Sequence, residues 1–140
     1  WSADVCSSDL FNNDDILSHV KHSIDETINI VIIESKEGLN NLEQIASVDN
    51  IDIIYFGAYD LSQALGYPGE VQHPNVIKEI EKGIKIVNKL GKYAGGFVAQ
   101  SKNDIDELVK MGMKFITYEV DSSIIYSHVK DITDWFKNGR

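Results

Sequence analysis

Residues 51–66 read IDIIYFGAYDLSQALG, and this stretch decides the fold class. Its first part, 51–57 (IDIIYFG), is rich in β-branched and aromatic residues and ends at a glycine, which predicts a strand. Residues 60–65 are predicted to form a short helical turn, which Asp60 would cap with Gln63 three residues on. A strand that leads directly into a helix is one βα unit.

The same alternation of strand and helix continues upstream. A helix with one apolar face carries Ile16, Leu17, Val20 and Ile24, and Asn13 or Asp14 is placed to cap it. Residues 29–35 (NIVIIES) form a continuous β-branched run, which predicts a strand buried on both faces. One helix is then expected to direct Leu39, Leu42, Ile45 and Ala46 inward.

Downstream of residue 66 the pattern repeats twice more. The predicted elements are a helix over 75–90, a strand over 93–99, a helix that Ser101 begins and Gly112 ends, a strand over 115–120 and a last helix through 124–136. Four βα units in succession imply parallel strands joined by right-handed helical crossovers. This fits half of an eight-stranded barrel or a small open doubly wound sheet, and the pattern alone does not separate them.

Composition and charge exclude several classes of protein. The chain has 140 residues, of which 13 are basic and 22 acidic, giving a net charge of −9. Such a chain repels phosphate, so nucleic-acid partners are not expected. No apolar run approaches the roughly 18 residues of a membrane helix. The single cysteine, Cys6, excludes an internal disulfide and a cysteine-based zinc cluster, and we expect a cytoplasmic protein.

The first ten residues, WSADVCSSDL, differ from the rest of the chain. They show neither helical nor strand periodicity, and their back-translation resembles a sequencing-library adapter. We therefore expect residues 1–10 to be adapter-derived or disordered, and residues 11–140 to form the folded domain.

Acidic residues follow the predicted strands. Ligands of parallel α/β proteins gather at the carboxyl ends of the strands, where Glu34, Asp60, Glu119 and Asp121 fall. The only arginine is Arg140, so two unpaired acids at one rim are best explained by a hard divalent cation. Structural roles remain open for each: a helix cap for Asp60 and Asp121, a first-turn acid for Glu34, and a strand-end acid for Glu119.

Three segments of the sequence resemble those of a known enzyme family. The segments IESKE at 33–37 and FGAYDLSQALGYPG at 56–69, with His73–Pro74 after them, resemble the metal-dependent pyruvate aldolases of the HpcH/HpaI aldolase/citrate lyase family. The similarity spans about residues 28–138 and implies the C-terminal half of that family's (β/α)8 barrel.

The resemblance implies a class II aldolase, a carbon–carbon lyase that cleaves a 4-hydroxy-2-oxo acid to pyruvate and an aldehyde. Glu34 and Asp60 would bind Mg²⁺ or Mn²⁺, the backbone N–H groups of Tyr59 and Asp60 would hold the 2-oxo acid, and Phe97 would line the aldehyde pocket. The family's catalytic His and pyruvate-binding Arg lie in its first half, so no catalytic residue is assigned here and the piece alone is expected to be inactive. Ile32 stands where the family often has Gln.

Other functions remain as alternatives. A related citrate-lyase-type acyl lyase would share the metal carboxylates, and a receiver-like acidic binding domain would need an acidic pair after the first strand. A Schiff-base aldolase fits less well, because no lysine projects from a strand's carboxyl end. The chain is expected to self-associate, and the resemblance implies a hexamer for the full-length family.

Overall fold

The computed structural model describes residues 16–99 and 101–139 of the chain. The strands are β1 (Ile30–Ile33), β2 (Ile53–Phe56), β3 (Tyr93–Ala99) and β4 (Phe115–Tyr118). The helices are α1 (Ile16–Glu26), α2 (Lys36–Asn40), α3 (Leu42–Ala46), α4 (Ala58–Leu65), α5 (Pro74–Lys89), α6 (Lys102–Met111) and α7 (Asp121–Asn138). The expected caps of α1 at Asn13 or Asp14, and the unusual segment 1–10, lie outside the described residues.

The four strands form one parallel sheet in the order β1-β2-β3-β4. This confirms the predicted succession of parallel βα units. It also decides between the two architectures left open, because a doubly wound sheet reverses its strand order at a switch point, as in the order 2-1-3-4-5. Here each described strand lies beside its neighbour in sequence, as successive strands of a barrel do.

Helix boundaries follow local backbone chemistry. Gly91 and Gly112 have φ of 76° and 99°, the left-handed conformation in which glycine ends α5 and α6. The hydroxyl of Ser101 accepts a hydrogen bond from the backbone N–H of Asp104, as the predicted cap requires. The single helix predicted over 39–46 is wrong, because α2 ends at Asn40 and Asn41 separates it from α3.

The core lies between the sheet and the helices, chiefly α3 and α5. The fully buried members of the core are Leu42, Ala46, Ile54, Phe56, Leu61, Val76, Ile80, Ile84, Val87, Ala94 and Met113. Full burial of a valine, leucine, isoleucine, methionine or phenylalanine side chain contributes about 1.5–3 kcal/mol to the stability of the fold.

The opposite face of the sheet is not covered by any described residue at β1. Ile33 is 2% exposed on the helix side, whereas Ile32 is 54% exposed on the other side. The prediction that this strand is buried on both faces is therefore wrong for the described part of the chain, because Ile30 and Ile32 are exposed there. We call this side the inner face. No helix within the described ranges is long and apolar enough to cross a membrane.

Candidate active site at the carboxyl ends of the strands

Glu34 and Gly57 occupy equivalent places at the ends of neighbouring strands. Ile33 pairs with Phe56 in the parallel register, so the residue after each leaves the sheet at the same level. The Gly57 N–H donates to the Ile33 carbonyl at 3.0 Å and extends the pairing by one residue. A Cβ on Gly57 would lie 2.7 Å from Glu34 Cγ and 2.9 Å from its Oε1. The Glu34 carboxylate thus occupies the space that a side chain at position 57 would fill.

Asp60 stands one turn into the helix that Gly57 begins. Gly57 is the N-cap of α4 and provides no side-chain cap, so the predicted cap role of Asp60 is wrong: Asp60 is the third helical residue. N-cap and third residue are the two positions whose side chains meet in a capping box. Glu34 therefore takes the space of an N-cap side chain at the start of α4, and Asp60 lies in the first turn of the same helix.

Neither carboxylate is engaged elsewhere in the described ranges. Glu34 and Asp60 are both exposed, and neither side chain makes a hydrogen bond or ion pair there. Lys36, which follows Glu34 by two residues, makes no ion pair with it. Two free acids at one helix start can accept a cation, a water or a donor group of a ligand.

The first turn of α4 also presents backbone donors. The Leu61 N–H donates to the Gly57 carbonyl, which leaves the N–H groups of residues 58–60 as the unpaired donors of the helix start. Such a helix start attracts anions. Tyr59 is exposed in this turn. Phe97 lies in β3 at a register shift between Gly96 and Val98, and its side chain lies outside what the structure describes.

Glu119, Asp121 and His73, which the sequence analysis also singled out, have local structural roles. Glu119 follows β4 with φ of 50°, and Asp121 begins α7, where it accepts from the Ser122 N–H at 2.7 Å rather than acting as N-cap. His73 caps α5 by accepting from the Asn75 N–H, and its ring stacks on Tyr67 at 3.6 Å. No group of three or more His, Cys, Asp or Glu side chains of the described part forms a metal cluster.

Sequence reasoning missed four residues whose roles depend on contacts between separate segments of the chain. Gly57 was taken as a strand end, although its lack of a side chain makes room for Glu34. Ser62 is fully buried and links the Tyr59 carbonyl to the Gly69 N–H. Tyr55 and Thr117 hydrogen-bond across the sheet, which only the strand order could have indicated.

Comparison with known proteins identifies the family. A family model described as HpcH/HpaI aldolase/citrate lyase matches residues 12–127. The chain is 30% identical over 124 residues to a hydroxypyruvate/pyruvate aldolase of Pseudomonas aeruginosa, covering 89% of this chain and 46% of that protein. It is 34% identical over 111 residues to a 2-keto-3-deoxy-L-rhamnonate aldolase of Escherichia coli, covering 79% and 41%.

Solved structures agree with these matches. The citrate synthase SbnG superposes with a TM-score of 0.81 at 27% identity, covering 89% of this chain and 50% of that one. The HpcH/HpaI aldolase of Desulfitobacterium hafniense shares the fold, with a TM-score of 0.83 at 23% identity and coverage of 91% and 49%. The chain spans about half the length of the relatives it matches, as expected for four βα units of a (β/α)8 barrel. It belongs to the HpcH/HpaI aldolase/citrate lyase family.

Proposed function

We propose that the chain carries the metal-binding and oxo-acid-binding part of a class II aldolase that reversibly cleaves a 4-hydroxy-2-oxo acid to pyruvate and an aldehyde. The observation that carries the proposal is the Glu34 carboxylate resting on Gly57, at the start of the helix whose third residue is Asp60. The names of the aldolase relatives support the reaction class.

The two acids match the donor set that a magnesium or manganese ion accepts. Mg²⁺ is commonly held by one or two carboxylates, and waters or substrate oxygens complete its coordination. Two carboxylates are therefore enough for a magnesium site, although the described ranges contain no cluster of three or more metal-binding side chains. Glu34 and Asp60 would hold the ion, which when bound supplies a Lewis acid for the keto and carboxylate oxygens of the substrate. Both acids are exposed and uncommitted, which suits this role.

The backbone and one aromatic residue complete the proposed substrate site. The N–H groups of Tyr59 and Asp60 would donate to the carboxylate of the 2-oxo acid, because the first turn of α4 has no side-chain cap. Phe97, near the carboxyl end of β3, would line the pocket for the aldehyde. The chain's own contribution is thus to bind and orient the oxo acid beside two carboxylates.

The 140-residue chain alone is expected to turn over substrate very slowly. The His and Arg that the family resemblance implies have no counterpart placed at a strand end of this sequence. Lack of a general base removes about 10²–10⁴ in rate. Lack of one oriented donor to the developing charge removes about 10²–10³ more. Binding, rather than turnover, is therefore the decisive measurement on this chain.

The test is Mn²⁺ binding by calorimetry, with free Mn²⁺ followed independently by electron paramagnetic resonance. Glu34→Gln and Asp60→Asn are each expected to abolish binding. Glu119→Gln is the matched control, since it also neutralises a strand-end acid, and it should hardly alter the affinity. Equal affinities in the three variants, or no binding by the unaltered chain, would refute the metal assignment.

One related activity is favoured by a specific comparison. The likeness to the citrate synthase SbnG, at 27% identity, supports an acyl lyase of the citrate-lyase type as a second candidate. Binding of a panel of 2-oxo acids against CoA thioesters separates the two. Borohydride treatment with pyruvate should leave the chain unmodified, because a covalent adduct would indicate Schiff-base chemistry instead of a metal.

A further inference from the structure

Ser62 has a fully buried side chain, and its hydroxyl joins two backbone groups. It donates to the Tyr59 carbonyl at 2.6 Å and accepts from the Gly69 N–H at 3.0 Å. A hydroxyl has a single proton, so the proton of Ser62 is committed to Tyr59. Ser62 thus connects the first turn of α4 with the loop that follows this helix.

The carbonyl that accepts the Ser62 proton belongs to a peptide group of the proposed oxo-acid site. The Tyr59 carbonyl and the Asp60 N–H are the two ends of one peptide group, which is planar and resists rotation about its C–N bond. Fixing the direction of the carbonyl therefore fixes the direction of the Asp60 N–H. A hydrogen bond at the carbonyl also polarises the peptide group, which strengthens its N–H as a donor.

The usual way of fixing a helix start would consume the donors that a ligand needs. A capping side chain at the N-cap accepts from the N–H of the second or third helical residue. In α4 these residues are Tyr59 and Asp60, and the N-cap Gly57 provides no side-chain hydrogen bond. The Ser62 hydroxyl acts from the carbonyl side of the peptide group instead. It therefore holds the first turn in place and leaves the N–H groups available.

Serine is not the residue that a helix by itself favours at position 62. Ser62 is the fifth residue of α4, and alanine stabilises a helix interior more than serine does. A serine hydroxyl that bonds to a carbonyl of the preceding turn also tends to weaken or bend the helix. The advantage of serine here therefore lies in the link that its hydroxyl makes, and not in the helix.

The far end of the link is anchored to the core. Gly69 lies two residues after Tyr67, whose hydroxyl accepts from Asn75 Nδ2 at 2.6 Å and whose ring stacks on His73. His73 is the N-cap of α5, and Asn75 lies in the first turn of this helix, which has several fully buried side chains. Ser62 therefore ties the first turn of α4 to a loop that α5 holds in place.

We propose that Ser62 is a positioning residue, which orients the Asp60 N–H toward the carboxylate of the 2-oxo acid without touching the substrate. The inference rests on the proposed function. Both hydrogen bonds of the Ser62 hydroxyl are to backbone groups, so the carboxylates of Glu34 and Asp60 take no part in the link. Loss of this hydroxyl should therefore weaken the binding of the oxo acid and spare the binding of the metal ion.

The test measures two binding constants for each variant of the 140-residue chain, at a temperature well below its unfolding transition. Pyruvate is titrated in saturating Mg²⁺ by nuclear magnetic resonance, and Mn²⁺ is titrated alone by calorimetry. Ser62→Ala should bind pyruvate about three- to tenfold more weakly, the worth of one hydrogen bond, and Mn²⁺ within about twofold of the unaltered chain. Pyruvate should shift the resonance of the Asp60 amide proton in the unaltered chain, and shift it less in Ser62→Ala.

Two further variants separate positioning from stability. Gly83→Ala disturbs the core at Phe56 and leaves the link intact, so it should bind pyruvate as the unaltered chain does. Ser62→Cys has nearly the size of the natural side chain, but a thiol is a weak donor, so pyruvate binding should again weaken while Mn²⁺ binding does not. This variant decides the question where Ser62→Ala does not fold.

An unchanged pyruvate affinity in the folded Ser62 variants would overturn this inference alone, and so would an equal loss in Gly83→Ala. Equal losses of Mn²⁺ and pyruvate affinity in Ser62→Ala would also overturn it, because Ser62 would then support the whole site and not one peptide group. Binding of neither pyruvate nor Mn²⁺ to the unaltered chain would overturn the inference together with the proposed function.

Discussion

The carboxylate of Glu34 rests on the backbone of Gly57, so close that a methyl group at position 57 would lie 2.9 Å from its Oε1. Gly57 has φ of −76° and ψ of 86°, so its backbone does not require the positive φ that favours glycine. Glycine is needed at this position for space alone. The identity of residue 57 therefore controls where the Glu34 carboxylate lies, and through it the proposed metal site.

Gly57→Ala is expected to weaken Mn²⁺ binding about 10- to 100-fold, the usual effect of disturbing a group that orients a metal ligand. The new Cβ must displace Glu34 Cγ from 2.7 Å, and the flexible side chain will move before the backbone does. Stability should fall by no more than about 1 kcal/mol, the scale of an N-cap change. Calorimetry for the ion and urea unfolding for the free energy of unfolding measure the two effects separately.

Gly66→Ala is the matched control. Gly66 ends α4 with φ of 95°, and a Cβ there would have no atom within 4 Å. The substitution strains the backbone by about 1–2 kcal/mol but leaves Glu34 untouched. It should lower stability without changing Mn²⁺ affinity. If it weakens binding as much as Gly57→Ala does, crowding of Glu34 is not the cause.

The sequence was sufficient for the succession and parallel direction of the strands and for the rim on which the acids lie, whereas the order of the strands in the sheet came from the structure. Strand runs such as 93–99 were bounded correctly because glycine and a capping serine punctuate them, and chain connectivity then forces Glu34 and Asp60 to one edge of a parallel sheet. Resemblance to a family added the pairing of these two acids, which no periodicity in the sequence contains.

Other features depend on contacts between segments that are distant in the sequence, so they could not be predicted from the local sequence pattern. The exposure of Ile32 depends on what covers the inner face, whereas its β-branched run only indicates a strand. α4 starts at Ala58, directly after Gly57, whose N–H is bonded to the neighbouring strand. The spacing of Asp60 and Gln63 fits a cap, but α4 begins before Asp60, which excludes that role.

Ser62→Ala should destabilise the chain by about 1–3 kcal/mol, because it leaves the Gly69 N–H without its partner. The buried Ser62 hydroxyl donates to the Tyr59 carbonyl at 2.6 Å and accepts from Gly69 at 3.0 Å. Urea unfolding measures the loss. Ser47→Ala is the control, because the Ser47 hydroxyl also donates to a backbone carbonyl, that of Glu43, but is exposed. This substitution should lower the stability by less than about 0.5 kcal/mol.

Gly83→Ala should lower stability by about 1–3 kcal/mol, the cost of overpacking, even though alanine favours a helix interior by about 1 kcal/mol. A Cβ at Gly83 would lie 2.6 Å from Phe56 Cε1 and 3.1 Å from Leu42 Cδ2, and both side chains are fully buried. Phe56→Leu should partly rescue the variant, giving a double-mutant cycle that departs from additivity. If Gly83→Ala instead raises the free energy of unfolding, the Phe56 and Leu42 side chains can move enough to accommodate the added methyl group, and the prediction is wrong.

Self-association of the chain should increase as salt is added. Within the described residues β1 and β4 each pair with one neighbour only, and α7 exposes a row of large apolar side chains that includes Val129, Ile132 and Phe136. Open strand edges and uncovered apolar surface promote association, whereas a net charge of −9 on every copy opposes it. Salt of about 1 M shortens the screening length to about 3 Å and removes most of that repulsion. Sedimentation velocity from low to high salt should therefore show dimers or larger species growing at the expense of monomer, and a monomer that persists throughout with one cooperative melting transition would contradict the prediction.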